Sequence, residues 1–361
     1  MFPVWKTGRI TALALIACLG MLGVSCKPGV TGPGTSSAPV TLQGAGATFP
    51  NPLYQKWLSE YGKLHSNVRI DYQSIGSGGG IKQIQAQTVE FGASDAPMTD
   101  AELQASPSEL LHVPTVLGAV VVTYNVPGIT QPLNLSPEVI ADIFLGKLKK
   151  WNDPKLKQDN PSATLPAADI AVVHRAESSG TSYVFTDYLS KVSPEWKSTV
   201  GTDKSPKWPT GQGGKGNEGV TGQIKQQPNT IGYVELAYAD QNKLPVALIK
   251  NANGKFVAPS IDAVTAAAAA SAGITPDDLR VSITNPAGDG VYPISSYTYI
   301  LVYKQQNDAA KGKALVDFLW WGIHDGEEFA KALQYAPLPK EIVTRAEAKI
   351  SSITSGGQPL R

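Results

Sequence analysis

The chain has 361 residues, 42% hydrophobic and 17% charged, and its 31 basic against 30 acidic side chains leave a net charge of +1. This balance excludes a disordered polymer, and it leaves no overall field to draw nucleic acid or an anionic membrane, so any attraction for an anion has to be local. The length suits two domains of ordinary size or one large one.

The first 25 residues read as an export signal. Lys6 and Arg9 precede an apolar run from Ile10 to Leu22, with Gly23 and Ser25 after it. The run is short for a membrane-spanning helix. Cys18 lies inside it and would leave with the signal. Cys26 follows Leu22-Gly23-Val24-Ser25, a context similar to a bacterial lipoprotein cleavage site, where the cysteine carries the lipid. Ordinary signal cleavage nearby is the alternative. Residues 26–39, rich in Gly, Pro, Ser and Thr, bury too little apolar surface to fold and read as a tether. No cysteine follows Cys26, so the folded part depends on a core and not on disulfides.

From residue 40 onward, short apolar strands alternate with helical patterns. The pattern predicts strands at 40–44, 68–72, 91–94, 117–124, 170–174 and 294–303. It predicts helices at 53–64, 81–87, 183–192, 263–272, 311–321 and 327–334, and a second block opening at 139–145 and the Trp151-Asn152-Asp153-Pro154 turn. Such alternation implies an α/β fold with mainly parallel sheets. The long apolar strands near 120 and 298 suit crossings between two lobes, with a cleft between.

Three Gly/Ser/Thr segments each precede a predicted helix: Gly44-Ala45-Gly46-Ala47-Thr48-Phe49, Gly76-Ser77-Gly78-Gly79-Gly80, and Ser178-Ser179-Gly180-Thr181-Ser182. Helix starts offer free N–H groups and a dipole that favours negative charge, while Ser and Thr add hydroxyl donors. Any one of them alone is equally an N-cap. Arg175 stands directly after a predicted strand, at the end of an α/β sheet where ligands bind, and its guanidinium can hold a tetrahedral oxyanion through two parallel hydrogen bonds. Glu177 can steady it; a surface ion pair is the plainer reading. Asp95, in Gly92-Ala93-Ser94-Asp95-Ala96-Pro97, is out of place beside an anion unless that anion still carries a hydrogen, as phosphate does near neutral pH and sulfate does not. A turn or capping aspartate is the alternative.

Two signals carry nothing. Gly211–Gly216 lacks the spacing and the Ser/Thr of a phosphate loop and reads as a glycine-rich turn before a helix near Val220. His65, His112, His174 and His324 show no metal spacing, and His174 should face away from Arg175 in a strand.

The three segments, in order with Phe91-Gly92-Ala93-Ser94-Asp95-Ala96-Pro97, resemble the phosphate-binding protein of the bacterial high-affinity phosphate ABC transporter. So do Phe144-Leu145-Gly146-Lys147, Lys150-Trp151-Asn152-Asp153, Gly213-Gly214-Lys215-Gly216-Asn217 and Ile231-Gly232-Tyr233-Val234-Glu235. The resemblance runs from about Val40 to the C-terminus. It implies the two-lobed periplasmic-binding-protein fold of type II, with residues 40–119 and 296–361 in lobe I and 120–295 in lobe II. It also implies a phosphate ligand set of Thr48, Phe49 (through its backbone N–H), Ser77 and Asp95 from one lobe, and Arg175, Ser179, Gly180 and Thr181 from the other. Glu177, where the best-known members carry aspartate, would partner Arg175, and Ser178 replaces a glycine. The expected protein is a monomeric binding protein and not an enzyme. It would sit in the periplasm or at the cell surface, lipid-anchored through Cys26, and serve the permease subunits of a phosphate importer. No cofactor, metal or nucleic acid is expected. Another oxyanion such as sulfate or molybdate, or an extracellular phosphatase, are the alternatives.

Overall fold

The computed structural model describes residues 39–361. The predicted leader, Cys26 and the tether up to residue 38 lie outside the described residues. The main sheet has eight strands, numbered here in chain order: β1 (Val40–Gly46), β2 (Val68–Ser74), β3 (Phe91–Ser94), β4 (Leu110–Asn125), β5 (Ala171–Arg175), β6 (Gln212–Gly214), β7 (Thr230–Glu235) and β8 (Ser295–Tyr303). Their spatial order is β2-β1-β3-β8-β4-β7-β5-β6.

The sheet is parallel at both ends and antiparallel in the middle. β1 pairs in parallel with β2 and β3, and β5 in parallel with β7 and β6, whereas β8 runs against β3 and β4, and β4 against β7. The expectation of mainly parallel pairing thus holds for the ends alone. β4 accounts for the middle. Its first part pairs with β8, from Leu110↔Tyr303 to Ala119↔Ser295, and its last six residues pair with β7, from Val120↔Glu235 to Asn125↔Thr230. Every residue of β4 but Asn125 is buried, which is why the sequence from Leu117 to Tyr124 is a near-continuous apolar run and not an alternating one.

Helices cover the sheet. In α1 (Asn51–Leu64), Leu53, Tyr54, Trp57 and Tyr61 fall on one helical face and are buried. Trp57 stacks on Tyr54 at 5.5 Å and meets Phe318 and Trp321 edge-on, and its indole N–H donates to Gly326 O at 2.7 Å. At the other end of the sheet, Tyr233 stacks on Phe185 at 4.4 Å, beside Phe144 and Trp208. α2 (Ser77–Gln85) and α3 (Gly180–Val192) begin three or four residues earlier than helical periodicity places them. Their glycine and serine first turns are poor helix formers, and packing holds them in helical form.

The helix expected at 327–334 is instead two 3₁₀ turns, Asp325–Phe329 and Lys331–Leu333. Ala336 exchanges both backbone hydrogen bonds with Leu117 of β4, so the chain must be extended there, and Gln334 makes the reversal at φ 65°. The helix Lys340–Ser351 and the strand β7 were not anticipated as elements. The Gly211–Gly216 segment is an edge strand leading into a helix, Gly216–Gln226, and not a turn. Among the described residues, no helix is long and apolar enough to cross a membrane, and no group of three or more His, Cys, Asp or Glu side chains is arranged to hold a metal ion.

Candidate functional site

All eight candidate residues lie where a sheet strand ends or a helix begins. Thr48 and Phe49 join β1 to α1, Ser77 is the first residue of α2, and Asp95 follows β3. Arg175 ends β5, Ser179 caps α3, and Gly180 and Thr181 form its first turn. All are buried, including the charged pair Asp95 and Arg175 at 1% and 2% exposure. Charged groups so deep need partners, and these have them.

The Ser77 hydroxyl is a meeting point. Its oxygen accepts from the backbone N–H of Gly180 at 3.0 Å and of Asp95 at 3.3 Å, and it reaches Asp95 Oδ2 at 3.5 Å. Gly180 is required for this approach, because a Cβ there would lie 2.4 Å from Ser77 Oγ and 2.6 Å from Asp95 Oδ2. The adjoining loops touch through Gly78 N, which donates to Ser178 O at 3.0 Å.

Arg175 forms a second centre. Its Nη1 donates to Thr181 Oγ1 at 3.0 Å, while Nε (2.9 Å) and Nη2 donate to Glu177 Oε1. Glu177 also accepts from Gly216 N at 3.1 and 3.2 Å, so it fixes the guanidinium and ties it to the next helix start. His174 turns away and stacks on Trp208 at 4.9 Å, as strand alternation requires.

Several residues of the site were not singled out from sequence. Asn217 joins the two sides, donating through Nδ2 to Thr48 Oγ1 at 2.8 Å and to Thr181 Oγ1 at 3.3 Å, while its Oδ1 accepts from Glu235 N at 3.0 Å. Tyr238 and Tyr335 hydroxyls donate to the carbonyls of Thr48 (2.6 Å) and Phe49 (2.7 Å), fixing the first loop. Thr298 donates to Asp95 Oδ1 at 2.8 Å. The available signals were an Asn in a helix's first turn and a lone Thr in an apolar strand. One candidate keeps local duties as well: Ser179 Oγ accepts from Ser182 N at 3.1 Å as an N-cap, and the Ser179 N–H donates to Lys204 O at 2.8 Å.

Asp95 is the electrostatic centre. Burial pushes its carboxyl up from 3.8 to about 7, against the pull of the Thr298 hydrogen bond, the Arg175 charge and Ser77. A carboxyl poised near neutrality therefore sits among N–H and O–H donors and one guanidinium. That is the donor set for a small oxyanion, with a single acceptor inside it.

The sequence matches the PBP superfamily domain over residues 33–320. It is 49% identical over 310 residues to the phosphate-binding protein PstS of Pasteurella multocida, covering 86% of this chain and 89% of that protein. It is 39% identical over 363 residues to the phosphate-binding protein PstS of Methanocaldococcus jannaschii, covering 92% and 93%. Among solved structures, a phosphate-binding protein from Stenotrophomonas maltophilia aligns with TM-score 0.66 at 22% identity, covering 85% of this chain and 93% of that one. A high-affinity periplasmic phosphate-binding protein with bound phosphate aligns with TM-score 0.69 at 24% identity and the same coverages. The fold is therefore the type II periplasmic-binding-protein fold. With strand-end loops that converge on one buried cluster, and with relatives matched over nearly their whole length, this chain belongs to the PBP superfamily and, within it, to the family of the phosphate-binding proteins PstS.

Proposed function

We propose that this chain captures inorganic phosphate outside the cytoplasmic membrane and delivers it to the permease subunits of an ABC importer. The observation that carries the reading is the buried Asp95 carboxyl set among the Ser77 hydroxyl, the Gly180 N–H and Arg175, one acceptor among many donors. Phosphate offers a hydrogen to Asp95 and accepts from the rest, whereas sulfate leaves two acceptors facing each other.

The ligand set in this reading is Thr48, the Phe49 N–H, Ser77 and Asp95 from lobe I (residues 40–119 and 296–361), with Arg175, Ser179, Gly180 and Thr181 from lobe II (120–295). A ligand touching both lobes favours the arrangement in which they meet, and that arrangement is what the permease recognises. The role is capture and not catalysis. Residues 1–25 act as the export signal, Cys26 carries a lipid, and 26–39 tether a monomeric domain to the membrane surface.

Calorimetric titration with phosphate and with sulfate, on protein unfolded and refolded to strip bound ligand, tests this. Phosphate should bind tightly and sulfate weakly, and Asp95→Asn should erode the preference. Equal affinities in the wild type, or unchanged discrimination in Asp95→Asn, would defeat the reading.

A further inference from the structure

Asp95 has two carboxyl oxygens with different surroundings. Oδ2 faces Ser77 Oγ and the close approach of Gly180, on the side where the loops converge. Oδ1 points back into the sheet and accepts from Thr298 Oγ1 at 2.8 Å. Thr298 is fully buried.

The sheet aims Thr298 at this oxygen. β8 pairs with β3 through Leu301↔Gly92, Ile300↔Ala93 and Tyr299↔Ser94, so Thr298 and Asp95 are the next residues beyond that pairing on each strand. On the other side of β8 the register with β4 shifts at this point. Thr298 opposes Val116 and Tyr299 opposes Pro114, which leaves Thr115 as an extra residue. Such bulges re-aim side chains beside functional sites. Thr115 is itself tied in, its hydroxyl 2.8 Å from Tyr54 Oη and donating to Thr298 O at 3.3 Å. The β-branched Thr298 side chain has little χ1 freedom to leave.

We propose that Thr298 is a specificity-determining positioning residue: its hydroxyl occupies Asp95 Oδ1 and favours the ionised carboxylate, so that Oδ2 alone meets the ligand, and only a ligand with a hydrogen to give. This rests on the phosphate reading of the site. The other groups facing Asp95 are the Arg175 guanidinium and four acids, Glu235, Tyr54, Tyr72 and Tyr335. All four are pushed by burial toward their neutral forms, and the charge of Asp95 adds to the push. Asp95 thus titrates near neutrality among acids that burial biases toward their neutral forms.

Sulfate has no proton to exchange near neutral pH, so the pH dependence of its binding reports on Asp95. Calorimetry with inorganic phosphate and with sulfate, from about pH 6 to about pH 8, is to be run on the refolded wild type, Thr298→Val and Thr298→Ser. Loss of one hydrogen bond to a charged group should move the sulfate profile of Thr298→Val upward by about one pH unit and cut the preference for phosphate at neutral pH about tenfold. Thr298→Ser, which keeps the hydroxyl, should follow the wild type. Superimposed profiles for wild type and Thr298→Val would overturn the proposal, as would a Thr298→Ser profile shifted as far as that of the valine variant. Thr298→Ala serves if circular dichroism shows the valine variant unfolded. A wild type without phosphate preference defeats the phosphate reading itself, whereas a selective wild type matched by Thr298→Val defeats the role of Thr298 alone.

Discussion

Replacing Asp95 by asparagine removes a carboxyl that the fold buries and leaves near neutral in titration, and the consequence for stability follows from the linkage between protonation and folding. In the unfolded chain this group ionises at its ordinary 3.8, and in the folded chain at about 7. Between those values the folded protein holds a proton that the unfolded chain has released. Stability must therefore fall as pH rises through the window and level off above about 7. Moving from 3.8 to about 7, at about 1.36 kcal/mol for each tenfold change in proton affinity, means that ionised Asp95 destabilises the ligand-free fold by ~4 kcal/mol above neutrality. Asparagine has no such proton and keeps an oxygen that can accept from Thr298. Arg175 loses a favourable neighbour but retains Glu177 and Thr181. Urea denaturation followed by tryptophan fluorescence, in phosphate-free buffers from about pH 4 to about pH 8, should show the variant gaining on the wild type as pH rises, by up to ~4 kcal/mol. Added phosphate should narrow or reverse the order, because ligand binding to the native state stabilises the tighter binder. A wild-type-to-variant difference that stays constant across the whole pH range would refute the desolvation of Asp95 on which the selectivity argument stands.

Two further substitutions probe how the loops meet. Gly180→Ala places a methyl 2.4 Å from Ser77 Oγ and 2.6 Å from an Asp95 oxygen whose carboxyl Thr298 holds in place. Relieving that overlap should cost about 1–3 kcal/mol, read in calorimetry as about a ten- to hundredfold loss of phosphate affinity, and unchanged affinity would show the contact to be slack. Asn217→Ala removes the side chain that joins Thr48 to Thr181 and leaves the buried N–H of Glu235 without its acceptor. The urea midpoint should drop by an amount equivalent to about 1–3 kcal/mol, with weaker phosphate binding although Asn217 is not a proposed ligand; an unshifted midpoint would remove it from the framework of the site.

Much of the site was legible because it depends on local chemistry. A glycine- and hydroxyl-rich turn before a helix is a donor site whatever surrounds it, so Thr48, Ser77, Ser179 and Thr181 could be read one segment at a time. Arg175 and Asp95 stood out as charges at strand ends, and the alternation of strands and helices gave the fold class. The burial of the second half of β4 likewise showed as a near-continuous apolar run from Leu117 to Tyr124, whereas its first half, broken by His112, Pro114 and Thr115, did not show.

Contacts between distant segments were not legible. The pairing of one half of β4 with β8 and the other with β7 joins residues more than a hundred positions apart, and no local pattern encodes it. The same holds for Tyr335 on Phe49, Asn217 between Thr48 and Thr181, and Thr298 behind Asp95, where the residue type is common and only the tertiary fold brings it to the candidate site. Residues 331–333 are helix formers held to a single 3₁₀ turn because Ala336 must pair with Leu117. Sequence alone determined which groups could hold an anion, since hydrogen-bonding capacity belongs to the residue. The tertiary structure alone decided that they share one buried place, and that Asp95 there titrates near neutrality, since desolvation and long-range register belong to the packed chain.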